Sequence, residues 1–179
     1  MSQFVVYTAM SLDGYIADEK GDVHWLESFE RDEYGYDGFI ESVGSILMGR
    51  ITCEQVLGFG EWPYRGIPTL VWSGSGVESL PEGVLSWSGD IEETVSKLEE
   101  LSGSRNVWIL GGASVIQAFI WAGMVHRMDL FIVPVLLGGG VRLFGPEDGE
   151  PLLLKLEHVQ PYANGVVQIT YEGRYRIED

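Results

Sequence analysis

Two short stretches hold the residues best suited to grip an anion: Gly49-Arg50-Ile51-Thr52 and Gly111-Gly112-Ala113-Ser114. Each follows a short apolar run, Ser45–Met48 and Val107–Leu110, and each leads into residues with helical spacing. A strand that turns through glycine into a helix leaves the first N–H groups of that helix without partners. Small residues then let a phosphate approach the backbone closely. Arg50 adds a guanidinium whose planar fork matches phosphate oxygens, although the same side chain equally suits a surface salt bridge in an acidic protein. A third strand, Leu70–Trp72, ends at Ser73-Gly74-Ser75-Gly76. Open α/β sheets take ligands at the carboxyl ends of their strands, so three such ends point to an extended, phosphate-bearing ligand such as a dinucleotide.

Other chemistry has little support. The chain carries no full GxGxxG fingerprint, no Walker lysine and no serine in a G-x-S-x-G setting. His24, His126 and His158 are scattered and Cys53 is alone, so no metal site is expected. An acidic cluster, Glu27, Glu30, Asp32, Glu33 and Asp37, reads mainly as a solvated face, of which one member pointing into a cleft would supply or relay a proton. Asp13, in the loop Met10–Gly14, reads either as a turn aspartate or as part of a loop laid over the sheet end against a ligand.

The elements that must position these groups follow from the apolar pattern. Phe4–Met10 is a central strand and Tyr15–Ala17 a second extended piece. A helix is predicted over about Asp32–Ser42, with Phe39, Ile40 and Val43 inward. Thr52-Cys53-Glu54-Gln55 fits a capping box, so the next helix should start at Thr52. Gly58–Pro68 is a loop, Val84–Trp87 a strand, and Asp90 caps a helix that runs to Leu101. Val107–Leu110, the glycine turn, a helix closed by Gly123 and the run Leu130–Leu137 make a crossover whose two strands should be parallel neighbours. Leu152–His158 and Gly165–Tyr171 form a closing antiparallel pair turned at Asn164-Gly165, and Arg174–Asp179 frays.

Composition frames this. A length of 179 residues suits one domain, residues 1–179, and 45% hydrophobic residues suit a folded core. A net charge of −16 disfavours nucleic acid and anionic membrane surfaces as partners. The lone cysteine, the lack of a basic-plus-apolar leader and the lack of an apolar run near ~18 residues fit a soluble cytoplasmic protein.

Three ordered motifs carry a family resemblance. MSLDGYIA, ILMGRITCEQV and ILGGASVIQAFIWAG followed by LFIVPVLLGGGVRLF resemble the dihydrofolate reductase superfamily, and more closely the C-terminal reductase domain of the riboflavin-biosynthesis deaminase-reductase. The resemblance implies a three-layer α/β/α fold with a mixed, mostly parallel central sheet and a C-terminal antiparallel hairpin. It implies NADPH as cofactor, with Gly49, Arg50 and Thr52 on the phosphates and Ser73 near the 2′-phosphate. Gly111, Gly112, Ala113, Ser114, Val115 and Ile116 would cradle pyrophosphate and nicotinamide, with Thr8, Ala9 and the Leu12–Gly14 loop, Gly14 included, beside the nicotinamide. Dihydrofolate reductases carry an arginine where this chain has Ser114, so NADH stands beside NADPH. Their catalytic acid maps to Glu30 when counted from Trp25 and to Glu33 when counted from Gly49, with Asp32 between and Asp37 beyond.

The resulting expectation is an NAD(P)H-dependent reductase that passes hydride to a small heterocyclic or carbonyl substrate. Beside it stand a pyrimidine reductase of riboflavin biosynthesis and a non-catalytic nucleotide- or flavin-binding module on the same fold. The strand Phe131–Leu137 reads either as fully buried or as a homodimer contact.

Overall fold

The computed structural model describes residues 2–29, 34–77, 79–145 and 151–173. Its first strand, β1 (Phe4–Ser11), is followed by β2 (Tyr15–Ala17), a 3-10 segment His24–Phe29 and helix α1 (Tyr36–Ser42). Strand β3 (Val43–Gly49) runs straight into α2 (Arg50–Gly58), and β4 (Thr69–Trp72) and β5 (Val84–Trp87) precede α3 (Ile91–Ser102). Then come β6 (Asn106–Gly111), α4 (Ala113–Trp121), β7 (Arg127–Val133), the short β8 (Val141–Arg142), β9 (Lys155–Pro161) and β10 (Val167–Glu172).

Eight strands form one sheet in the order β5-β4-β3-β6-β1-β7-β10-β9, and β2 pairs with β8 in a separate ribbon. The pairs from β5 to β7 are parallel, while β10 is antiparallel to both β7 and β9. Alternation along each strand sends successive side chains to opposite faces. Val6, Leu47, Leu70 and Ile109 pack on one face beneath α3 and α4, where Leu98, Ile116 and Phe119 are fully buried. Ile46, Met48, Val71 and Trp108 pack on the other face with Cys53 and Val56 of α2 and with Phe39 and Ile40 of α1. The result is the expected three-layer α/β/α arrangement with an antiparallel hairpin at its end.

Two helix ends follow the sequence signals closely. Asp90 accepts from Glu93 N–H and the Glu93 carboxylate accepts from Asp90 N–H, a reciprocal capping box for α3. At the end of α4, Gly123 (φ +66°) donates to Ile120 O and Met124 donates to Phe119 O, which closes the helix in a Schellman motif.

Several expectations need correction. β6 and β7 are parallel but not neighbours, because β1 lies between them, with Val6 in register with both Ile109 and Met128. Helix α2 starts at Arg50 and is capped by Gly49 without a side-chain bond, so Thr52 is already inside its first turn. Gln55 reaches Gly21 O at 3.0 Å instead of serving a capping box. The chain leaves Gly35 at φ +75° before α1 begins, and Val43 belongs to β3. The closing pair is real but its first strand is Lys155–Pro161; the predicted Asn164-Gly165 do sit in the turn, which spans Tyr162–Val166 and is closed by Tyr162 N–H to Val166 O. Residues 174–179 lie outside the described residues. Phe131 and Val133 are buried between β1 and β10, so the buried reading holds for them.

Candidate functional site

The sheet order places the ends of β4, β3, β6, β1 and β7 in one row, and the predicted junctions fall along it. Gly49 is in register with Trp72, so Arg50 and Ser73 are the next residues on adjacent strands. Met48 is in register with Gly111, which brings the N-termini of α2 and α4 side by side. The approach is close. A Cβ built on Gly49 would sit 3.2 Å from Val115 Cγ2, and one on Gly112 would sit 3.2 Å from Thr52 Oγ1. Gly111 has φ +147°, where a side chain is strained, while Gly112 has extended backbone. The two glycines that touch the seam are therefore kept free of side chains by space, and Gly111 by conformation.

Within this seam the groups differ in availability. Val115 and Ile116 donate their N–H groups to Gly112 O and bury their side chains in the core, so what they offer a ligand is placement of the turn. Ala113 is buried and Ser114 exposed, and helix geometry leaves their N–H groups facing out of the first turn. Arg50 donates to Glu54 at 2.8 Å across one helical turn, with both side chains about half exposed. Such a pair is worth roughly 0.3–0.5 kcal/mol, little enough for an arriving phosphate to replace it. The Ser73 hydroxyl accepts from Ser75 N–H at 3.3 Å and lies 3.2 Å from the Ser75 hydroxyl.

Thr8 and Ala9 project to opposite faces of β1, as their neighbours show: Val6 and Met10 pack under α4, Tyr7 and Ala9 on the side of α1. Gly14, at φ +90°, turns the loop that follows. Of the four carboxylates considered for catalysis, Asp37 is exposed on the first turn of α1, and Glu30, Asp32 and Glu33 lie outside the described residues.

Asp13 has a role that its local sequence could not show. Its carboxylate accepts from the Ser11 hydroxyl at 2.6 Å and, across the sheet end, from Leu137 N–H at 3.1 Å and Gly138 N–H at 2.7 Å. With Leu12 N–H on Val135 O, it ties the loop after β1 to the loop after β7. The Ser11 hydroxyl first, then the two N–H groups, hold this carboxyl at about 2, below the ordinary 3.8. A depressed carboxyl stabilises the fold in full above about pH 4 and loses that contribution as pH falls from about 4 to about 2. Asp13→Asn should therefore lower the urea midpoint at pH 7, and the gap to wild type should narrow on acidification. An equal gap at both pH values would refute the tie.

Sequence reasoning also missed Tyr7 and Asp129. The Tyr7 ring stacks on Phe39 at 4.1 Å and lies 4.7 Å from Phe131, and its hydroxyl donates to Tyr34 O at 2.9 Å. Burial, with smaller contributions from Tyr162, Asp129 and Tyr36, pushes that hydroxyl well above the tyrosine range, so it stays a donor. Asp129 is 1% exposed. It accepts from both Nε and Nη2 of Arg127 at 2.9 Å and from the Thr170 hydroxyl at 2.7 Å. Its one sequence signal was a lone acid at the head of an apolar strand. Among the described residues no cluster of three or more His, Cys, Asp or Glu could hold a metal, and no helix is long and apolar enough to cross a membrane.

A mostly parallel sheet with two helix N-termini side by side at its strand ends defines a three-layer α/β fold, and comparison with known proteins narrows it. The RibD C-terminal domain family matches residues 3–168, so the chain belongs to that family. It is 34% identical to YwjB of Bacillus subtilis (strain 168) over 142 residues, covering 78% of this chain and 81% of that one. A structure of a protein named for riboflavin biosynthesis, from Shewanella sp. PV-4, superposes with TM-score 0.85 at 30% identity, over 97% of this chain and 99% of that one. Dihydrofolate reductase from Enterococcus faecalis, solved with NADP(H), shares the fold at TM-score 0.64 and 19% identity, over 95% of both chains.

Proposed function

We propose that this protein is an NAD(P)H-dependent reductase acting on a small heterocyclic or carbonyl substrate. The observation that carries the reading is the seam between α2 and α4, where Gly49, Gly112 and Thr52 bring two helix N-termini together beside Arg50. Two outward-facing sets of N–H groups, one cation and the Ser73 hydroxyl fit the phosphates of a dinucleotide. A bound reduced nicotinamide would supply the hydride, and the protein's part is to hold and orient it. Tyr7, protonated and adjacent to Ala9, and the loops tied by Asp13 shape the acceptor side.

Titration with NADPH and NADH, followed by tryptophan fluorescence, tests this, and binding of neither at millimolar concentration would refute it. Arg50→Gln should weaken NADPH about tenfold, since a hydrogen bond to a charged group is worth about 1.5–3 kcal/mol and the Glu54 pair must first be given up. If Arg50 and Ser73 read the 2′-phosphate, NADH affinity stays unchanged in that variant; a parallel loss would move Arg50 to the pyrophosphate.

Family membership favours one second reading, the pyrimidine reductase of riboflavin biosynthesis. Against it, Arg50 alone among the described cations stands at a strand-to-helix junction, whereas that substrate carries a phosphate of its own. Turnover of the phosphorylated aminopyrimidine with NADPH separates the two. Binding without hydride transfer to any acceptor would leave a binding module. Phe131 and Val133 are buried within the sheet, so they are not the homodimer surface we propose. Among the described residues β9 is an outer strand of the sheet, and its exposed Leu156 and Val159, with Leu153 just before it, form the surface we assign to a homodimer.

A further inference from the structure

We propose that a cavity of about 490 Å3 on the α1 face of the sheet is a second ligand site, which takes an uncharged, fused heteroaromatic ring. The cavity is lined at the starting ends of its strands, by Val5, Asn106 and Arg127, whereas the glycine seam stands at the finishing ends of the same sheet. Between the two lies the Tyr7 ring, stacked on Phe39 and packed against Phe131. The volume falls within the range of small-molecule sites.

The lining chooses the ligand. Tyr34, Phe39 and Tyr162 offer aromatic surface. Gln168 is held at both ends by the Tyr162 hydroxyl and Asp129, whereas Gln160 and Asn106 each use one amide N–H, on Pro161 O and Ser42 Oγ, and keep a second N–H and the amide oxygen for a ligand. The one guanidinium present, Arg127, is already gripped at two nitrogens by both oxygens of Asp129, so these two charges offset each other beside the imidazole of His158. An anionic ligand would face the cost of repulsion from the buried Asp129 carboxylate beside Arg127, in a chain of net charge −16. A flat, neutral ring with mixed hydrogen-bonding edges meets no such cost.

Gly38 is an independent pointer. It stands inside the short helix α1, where glycine is unfavourable, and a Cβ built on it would meet nothing within 4 Å. No neighbour requires glycine there, yet the residue lines the cavity, and any larger side chain would narrow it.

Calorimetric titration of the full chain with lumazine and theophylline, two neutral fused bicyclic rings, tests the site. Binding with a dissociation constant below about 1 mM is expected for at least one, with lumazine-6-carboxylate at least tenfold weaker than lumazine. Gly38→Phe should weaken the probe at least tenfold without lowering Tm, while Gly38→Ala retains binding. If Gly38→Phe fails to fold, Gln160→Leu on the exposed strand β9 should weaken the probe by a similar factor. Saturating NADPH should leave the probe bound. No binding of either probe, tighter binding of the carboxylate, indifference to both variants, or displacement by NADPH would each overturn the proposal. Failure of NADPH itself to bind would count against the reductase reading and leave this site standing.

Discussion

Gly112→Val should abolish most NADPH binding while the fold survives. The φ and ψ of Gly112 lie in the extended region, which valine also adopts; what it lacks is space. Its Cβ would start 3.2 Å from Thr52 Oγ1, and two further methyls must then enter the seam between the helix N-termini. Overpacking of this kind costs about 1–3 kcal/mol, which a domain of typical stability, about 5–15 kcal/mol, survives. The cofactor fares worse, because the methyls stand between phosphate and the N–H groups of α2 and α4. Loss of one charge-assisted hydrogen bond at about 1.5–3 kcal/mol predicts an affinity drop of roughly tenfold to a hundredfold, and loss of two a drop of up to about ten-thousandfold. Fluorescence titration measures it, with circular dichroism to confirm folding. Gly112→Ala combined with Thr52→Ala removes the tight contact and should recover part of the loss relative to Gly112→Ala alone. Wild-type affinity in Gly112→Val would show that the seam does not cradle the cofactor.

The largest effect on stability is expected from Phe119→Ala. Phe119 is fully buried, its ring stacked on Phe4 at 6.3 Å and set edge-on to Trp72 at 5.6 Å. It fastens α4 to β1 and β4 together, and α4 is the helix whose start forms the Gly112 turn. Truncating a buried phenylalanine costs about 3–5 kcal/mol. At roughly 2–4 °C per kcal/mol for a chain of this size, Tm should fall by about 6–20 °C in a calorimetric scan. A fall of only a degree or two would mean that α4 is held by something other than this contact.

What could be read in the sequence was whatever is encoded locally. Short apolar runs that stop at glycine marked β3 and β6, one that stops at Ser73-Gly74 marked β4, and Asp90 and Gly123 marked helix ends because their side chains, or the lack of one, act within a turn. The candidate cofactor residues gathered at one end of the sheet because they share a local pattern of strand, glycine and helix. Failures came where distant partners decide. Nothing in Phe4–Ser11 says that it inserts between β6 and β7, and nothing around Asp13 shows that its acceptors serve Leu137 and Gly138. Lys155–Pro161 is an exposed edge strand with no buried face to leave an alternating signature, so the apolar Leu152–Leu154 drew the prediction three residues early. Thr52 looked like a cap because T-x-x-Q fits the rule, but β3 reaches Gly49 and the helix begins there.

The central place of β1 also bears on how the chain is made. Val5 pairs with Trp108 on one side and Arg127 on the other, so β1, once synthesised, lacks both of these partners until more than a hundred residues have followed. At about 5–20 residues per second, that is a wait of roughly 5–25 s with an apolar strand unpaired on both edges. Such long-range pairing gives a high contact order and slow folding. Nascent chains halted before β7 should therefore be protease-sensitive and dependent on chaperones, and completion of Arg127–Val133 should be the step at which the sheet locks.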